Sequence, residues 1–345
     1  MTMKKVLFAT TALIATASMA AAEVRISGYG RFGLDYNDAN DNDVLSPTFN
    51  GLSKTNITSR LRLQFDMSTE TDSGVALGAR FRAQADSRGN VPGGAVFNGA
   101  RFFATYQGFS VGVGNIIGAV ENMPGLYLET ASAGTGIDGA GYVSVVTNVN
   151  GEYFNWDSYS SGGAGANGVE LIYTAGGFVG HLSYSADNGV VGIPPAPNVA
   201  GTDRFAAMAT YTFGDWTMAI AAQDSDTLWE DKVVVSAAGN IGDFGVRVAY
   251  ADNDGISKWG LYGNMDIGAA SNVLLWVTDE EAVDAVDVAL GRNDNRDTLL
   301  VDGQEGTSYG IHYSYDLGGG ASIEAGYRHQ SNSNDRFQAG VFFRF

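Results

Sequence analysis

The stretch TSRLRLQFDMS, Thr58 to Ser68, alternates charge and bulk: Arg60, Arg62, Gln64 and Asp66 interleave with Leu61, Leu63 and Phe65. A period of two belongs to a β-strand, because successive side chains point to opposite faces of the sheet. One face of this strand is therefore apolar and the other carries cations. In a soluble sandwich the polar face would meet water outside. In a closed membrane barrel it would point inward, with the apolar face against lipid.

The same alternation recurs along the chain. Val24, Ile26, Phe32, Leu34 and Tyr36 fall on one side, and Arg25, Ser27, Tyr29, Arg31 and Asp35 on the other. Later segments repeat the pattern, as in Phe178/Leu182/Tyr184, Phe244/Val246/Val248/Tyr250 and Tyr309/Ile311/Tyr313/Tyr315, with Ser, Thr, Gly, Gln, His, Lys or Arg interleaved. Val273 to Thr278 is ambiguous, since Leu274 and Trp276 compete with Leu275 and Val277 for the apolar face.

Connection lengths separate the two architectures. Short turns followed at once by an aromatic recur at Gln107–Phe109, Gly176–Phe178, Gly214–Trp216 and Gly242–Phe244. Rings placed at one level on neighbouring strands form an interfacial girdle. Longer polar connections lie between them: Asn37 to Lys54, Ser87 to Asn98, Asp187 to Thr202 and Asp279 to Gly306. Short turns on one rim and long loops on the other point to an all-β, antiparallel transmembrane barrel. The spacing predicts about sixteen strands, each near the 9–11 residues that a tilted strand needs to cross a bilayer.

Composition agrees with this reading. The chain has 47 glycines, 16 tyrosines, 18 phenylalanines and only six prolines, which suits many strands joined by tight turns. No cysteine is present, so neither disulfides nor thiolate chemistry is available. Lys4 and Lys5, the apolar run Val6 to Met19 and Ala20-Ala21-Ala22 read as an export signal, residues 1–22, ahead of a barrel domain spanning residues 23–345. After this segment no run approaches the roughly 20 consecutive apolar residues of a transmembrane helix. The formal charge of −18 becomes −20 without Lys4 and Lys5, which argues against nucleic acid as a partner.

Three segments carry a family resemblance: NITSRLRLQFDMSTETDSGVALGARFRA (Asn56 to Ala83), GVGNIIGAVENMPGLYLE (Gly112 to Glu129) and SYDLGGGASIEAGYRHQSNSNDRFQAGVFFRF (Ser314 to Phe345). They resemble the sixteen-stranded trimeric general porins of purple photosynthetic and related bacteria. Between the first third and the last thirty residues only the strand rhythm matches. The resemblance implies that the connection after the fifth strand, roughly Asn115 to Asn167, folds into the barrel as its third outer loop; its distal part departs from the family's pattern. It further implies that Arg31, Arg60, Arg62 and Arg82 line a constriction and that Glu121 and Glu129 face them from the loop, with Asp138 a further acid there. Val341, Phe343 and Phe345 share one parity at the C-terminus and look like the terminal strand signal of such barrels.

The same resemblance implies a passive channel in the outer membrane of a Gram-negative bacterium. Its partners would be outer-membrane lipid and lipopolysaccharide, small hydrophilic solutes and ions, and two further copies of itself in a homotrimer. Small-residue strand faces such as Ala206 to Ala209 would allow close packing of those copies. No catalytic step and no cofactor are implied. Two other readings are a closed barrel serving as adhesin or anchor, and a sugar-specific channel using lumen aromatics such as Tyr29, Tyr262 and Phe342.

Several motifs have plainer explanations. GYGRFG, Gly28 to Gly33, matches a dinucleotide fingerprint but sits inside a strand, whereas that motif needs a helix N-terminus for the pyrophosphate. Asp38 to Asn42 begins like a calcium loop, yet Asp43 stands where the turn glycine belongs and Phe49 where the bidentate Glu belongs. An acidic surface loop accounts for it, and weak calcium binding there is the one ion site left open. His181, His312 and His329 lack metal spacing; the first two fall in the inward parity and read as lumen lining.

Overall fold

A computed structural model describes residues 22–87, 90–127, 144–147, 155–187, 189, 201–295 and 305–345. The expected export signal lies outside these residues, except for Ala22. The chain begins with β1 (Glu23–Asn37), β2 (Thr55–Glu70) and β3 (Ala76–Asp86), followed by β4 (Val96–Phe97), β5 (Arg101–Tyr106) and β6 (Phe109–Asn115). After the long connection come β7 (Asn167–Ala175), β8 (Phe178–Ala186), β9 (Asp203–Phe213), β10 (Trp216–Ser225), β11 (Lys232–Ile241) and β12 (Phe244–Asn253). The last third contributes β13 (Ile256–Ile267), β14 (Ser271–Glu280), a short helix α1 (Ala285–Ala289), β15 (Gly306–Gly318), β16 (Ala321–His329) and β17 (Asp335–Arg344).

All pairings are antiparallel between neighbours, and β1 pairs with both β2 and β17, so the sheet closes on itself. Both β4 and β5 pair with β3, at Ala83–Gln84 and at Ala76–Arg80 respectively, and they occupy one position in the wall. The wall is thus the expected sixteen-stranded barrel. Closure removes the unpaired edges that an open sheet would present.

The seam is built tightly. Gly28 and Phe345 exchange two backbone hydrogen bonds, of 2.9 and 3.1 Å. The ring of Phe343 lies over Gly30, where any Cβ would collide with it, and the ring of Phe345 lies over Gly28, where a Cβ would collide with the Arg62 carbonyl oxygen and crowd the ring. Glycine is needed at Gly30 for this close approach, and the ring in turn covers backbone that a glycine leaves bare.

Outward positions are apolar as expected, among them Val24, Ile26, Phe32, Leu61, Phe244, Val248 and Leu275. At the short-turn rim Phe109 packs on Tyr173 with centroids 4.4 Å apart, and Phe178 pairs with Tyr211 and Trp216 with Phe213 in the ladder. The other rim is uneven. The connection between β12 and β13 is a two-residue turn, Asp254-Gly255, with φ of 54° and 86°, the mirror-image turn that matches strand twist.

One expectation fails on the inner face. The interleaved set is not polar throughout: Ala206, Met208, Ala219, Ala221, Val234, Ala249, Ala251, Leu274 and Trp276 point inward and are buried. The reason is that water does not cover them. Ala119, Val120, Met123, Leu126, Val145 and Val146 from the 116–166 connection pack against them. The Val273–Thr278 ambiguity resolves in the same way, with Leu274 and Trp276 inside and Leu275 outside. Ala206 and Met208 lie beneath this segment, which leaves Ala207 and Ala209 as the members of that run on the outer face.

Candidate functional site

The described parts of the 116–166 connection, residues 116–127, 144–147 and 155–166, are inserted into the barrel and pinned to the wall from β7 round to β14. At its root Glu170 on β7 accepts hydrogen bonds from the backbone of Ile117 (2.9 Å) and Gly118 (3.3 Å). The same carboxylate pairs with Arg101 at 2.5 Å and His181 at 3.1 Å. Ala119 donates to Ser183 Oγ at 2.9 Å. Further along, Arg247 Nη1 donates to the carbonyl of Tyr127 at 2.7 Å, Asn253 to that of Val145 at 3.0 Å, and Lys232 Nζ to that of Asn155 at 2.6 Å. Lys258 Nζ caps the carbonyl of Thr147.

Magnitudes show which interaction dominates. Each buried hydrogen bond contributes about 1 kcal/mol net, whereas each fully buried Val, Leu or Met contributes about 1.5–3 kcal/mol. The apolar patch therefore supplies most of the docking and the hydrogen bonds fix its register.

The opposite wall, β1 to β3, is cationic. Arg31, Arg60, Arg62 and Arg82 all share the inward face, as the registers Arg31↔Arg60, Tyr29↔Arg62 and Gln64↔Arg82 require. Arg60 Nε bonds the Asp86 carboxylate. Arg62 Nε donates to Gln84 Oε1 at 2.6 Å, and its guanidinium lies 5.1 Å from the ring centre of Tyr29. Arg82 Nε donates to Gln64 Oε1 at 2.9 Å, while its Nη1 reaches Ser161 Oγ on the inserted segment at 3.0 Å. Its guanidinium also covers the ring of Tyr159 at 4.6 Å.

Glu121 belongs to the inserted segment but makes no direct ion pair with this row. Its Oε2 accepts from Tyr127 OH at 2.7 Å and Trp156 Nε1 at 2.8 Å. Burial pushes its carboxyl above the usual range, against the lowering effect of those two donors and of Arg82 at longer range. Glu129 and Asp138 lie outside the described residues.

Alternation puts Asp35, Asp66 and Arg80 on the polar face, but sequence reasoning did not assign them, or Arg336, to the constriction. Arg80 pairs with Asp66 at 2.5 Å, and Arg336 makes a bidentate pair with Asp35 at 2.6 and 2.7 Å. Arg80 has a signal in the sequence, because Arg80, Arg82, Gln84 and Asp86 repeat the order of Arg60, Arg62, Gln64 and Asp66.

The lumen aromatics separate into two places. Tyr29 and Phe342, far apart in the sequence, stack at 5.2 Å and 27°. Tyr262 is buried on the far wall, 3.9 Å beneath the Arg247 guanidinium. No continuous aromatic track joins them among the described residues. His181 and His312 face inward beside Glu170 and Glu324, while His329 bonds Asp335 at 2.7 Å. In the 38–54 loop the first acids are already engaged, Asp38 by Lys54 at 2.5 Å and Asp41 by Thr48 at 2.7 Å.

Known proteins share this architecture. The chain is 32% identical over 285 residues to a porin of Fuscovulum blasticum, covering 78% of this chain and 88% of that one. It is 29% identical over 337 residues to a porin of Rhodobacter capsulatus, covering 94% and 100%. Two solved structures of engineered Rhodopseudomonas blastica porin superpose with TM-scores of 0.71 and 0.70, at 28% and 26% identity, each covering 94% of this chain and all of the other. The sequence model of the Gram-negative porins matches residues 9–335, and the chain belongs to that family.

Proposed function

We propose that the barrel is an outer-membrane channel through which ions and small hydrophilic solutes diffuse passively, with its narrowest part between the β1–β3 arginines and the inserted segment. The observation that carries this reading is the placement of Arg31, Arg60, Arg62 and Arg82 on one inner wall while residues 119–127 and 145–146 of the 116–166 connection are docked on the wall across from it. Such opposed surfaces make a transverse field at close quarters, where bulk salt screens least. Size then sets the cutoff and charge the preference. Family membership supports the same reading and an assembly of three barrels.

The excess of acidic residues concentrates cations near the mouth, so the wild type is expected to prefer cations modestly, and more so at low salt. Arg60→Ala with Arg62→Ala should strengthen that preference and widen the passage, and Glu121→Gln should shift it toward anions. The measurement is the zero-current potential across a salt gradient. Shifts of the same sign, or none for either variant, would remove these residues from facing walls of one constriction.

The carboxyl environments impose a pH dependence. Glu121 is held above the usual range by burial, so as pH falls it is neutralised earlier than a solvent-exposed glutamate. Asp38 and Asp41 in the outer loop are held below theirs, the first by hydrogen bonds from Lys54 and Tyr36, the second by Ser46 and Thr48, and they keep their charge to lower pH. The wild type is therefore expected to lose part of its cation preference on mild acidification, and Glu121→Gln to lose less. Parallel pH profiles for the two proteins would contradict a role for Glu121 in selectivity.

A further inference from the structure

The β2–β3 hairpin carries one tetrad twice. Arg60, Arg62, Gln64 and Asp66 occupy the inward positions of β2, and Arg80, Arg82, Gln84 and Asp86 those of β3. Antiparallel pairing runs the second copy backwards against the first, giving Arg60↔Asp86, Arg62↔Gln84, Gln64↔Arg82 and Asp66↔Arg80. The outer rungs are ion pairs. The inner rungs each set an arginine against a neutral amide.

Each amide is engaged through both its oxygen and its nitrogen. Gln84 accepts from Arg62 and donates to Asp86 at 2.7 Å, while Gln64 accepts from Arg82 and donates to Asp66 at 2.8 Å. Within the two tetrads four arginines meet two carboxylates, so two positive charges are uncompensated there and both fall on the central pair; Glu70 and Asp72 lie beyond them, at the turn.

We propose that Arg62 and Arg82 form a binding site for one dianionic tetrahedral oxyanion, of the sulfate or phosphate class, inside the barrel. The two arginines are diagonal neighbours on adjacent strands, a spacing of about 7–8 Å between backbones, which one such anion bridges with a guanidinium on either side. Each is anchored through Nε, and Arg82 Nη1 also donates to Ser161 Oγ at 3.0 Å; the remaining terminal N–H groups extend beyond these anchors, where the planar fork of a guanidinium matches two oxygens of an oxyanion. Ring contacts with Tyr29 and Tyr159 limit the freedom of both side chains before a ligand arrives, which reduces the entropic cost of binding. A chloride ion supplies neither the second charge nor the second oxygen. The site deepens the channel reading and rests on it for its biological meaning, as a preference among permeating anions.

The test uses the folded full barrel in a planar bilayer with potassium chloride, to which sodium sulfate is added at constant ionic strength. Wild type is expected to show saturable reduction of current by sulfate. Gln64→Glu with Gln84→Glu keeps the shape of the ladder but balances both central arginines, and should raise the half-blocking sulfate concentration about tenfold or more, the scale of a single charge-assisted hydrogen bond. Arg344→Gln, which removes a cation outside the hairpin, on β17 and one strand beyond Tyr29, should leave the block in place. If it abolishes the block as fully as the glutamate pair does, general lumen charge explains the effect and the site is overturned. Titration calorimetry of the detergent-solubilised protein with sulfate keeps the two claims separate. Sulfate binding without any conductance would overturn the channel reading and retain the site. Conductance with neither block nor binding would overturn the site alone.

Discussion

Val120→Asp combined with Val146→Asp is expected to lift the inserted segment off the barrel wall and raise single-channel conductance several-fold. Both valines are essentially inaccessible, at 1% and 0% exposure, within the patch that docks the segment. A carboxylate buried there without a partner costs several kcal/mol, and two such costs exceed what the hydrogen bonds from Arg247, Asn253 and Lys258 return at about 1 kcal/mol apiece. Neither substitution touches a wall strand, so the barrel itself should still fold. Larger neutral sugars should then enter liposomes in swelling assays. Unchanged conductance in a correctly folded double variant would mean that the segment does not limit the passage.

Deleting Phe345 is expected to lower the yield of heat-modifiable, folded barrel in outer membranes several-fold. The two backbone hydrogen bonds with Gly28 are worth about 1 kcal/mol each, a modest loss for a barrel already closed. Before closure the balance is different. β17 must find β1 to remove the last two edges, and Phe345 provides the final rung of that ladder and the ring over Gly28. The effect should therefore fall on the amount assembled far more than on the unfolding temperature of what has assembled. A normal yield would place closure in other residues, with Phe343 and Val341 next along the same outward face.

Much of the architecture can be read directly from the chain, because a barrel wall has a single periodicity and two environments. Thr58 to Ser68 shows this, with each inward and outward side chain as the alternation predicts. The alternation loses its meaning where the inner environment is itself apolar. Leu274 and Trp276 carry the same local signal as Leu275 and Val277, and only the segment from far upstream, packed on one pair, distinguishes them. The partners of Glu121 are hidden for a similar reason, since Trp156 stands 35 residues further along the chain. By contrast, Asp254-Gly255 is a visible two-residue hairpin signal, and it shows that the long-loop rim has a low side. The tetrad repeat on β2 and β3 is also visible as a string. Its meaning depends on register, which pairs each arginine with either an acid or an amide.

That repeat has an electrical corollary. A local two-fold axis passes through the centre of the β2–β3 hairpin, normal to the wall, and exchanges one tetrad with the other. An ion moving along the pore meets a neutral rung, two cationic rungs and a neutral rung from either direction. The two tetrads thus carry no net dipole along the barrel axis, and their potential profile is the same read from either end. In a conducting barrel, any current rectification would then originate in charges outside the two tetrads, such as those of the acidic outer loops.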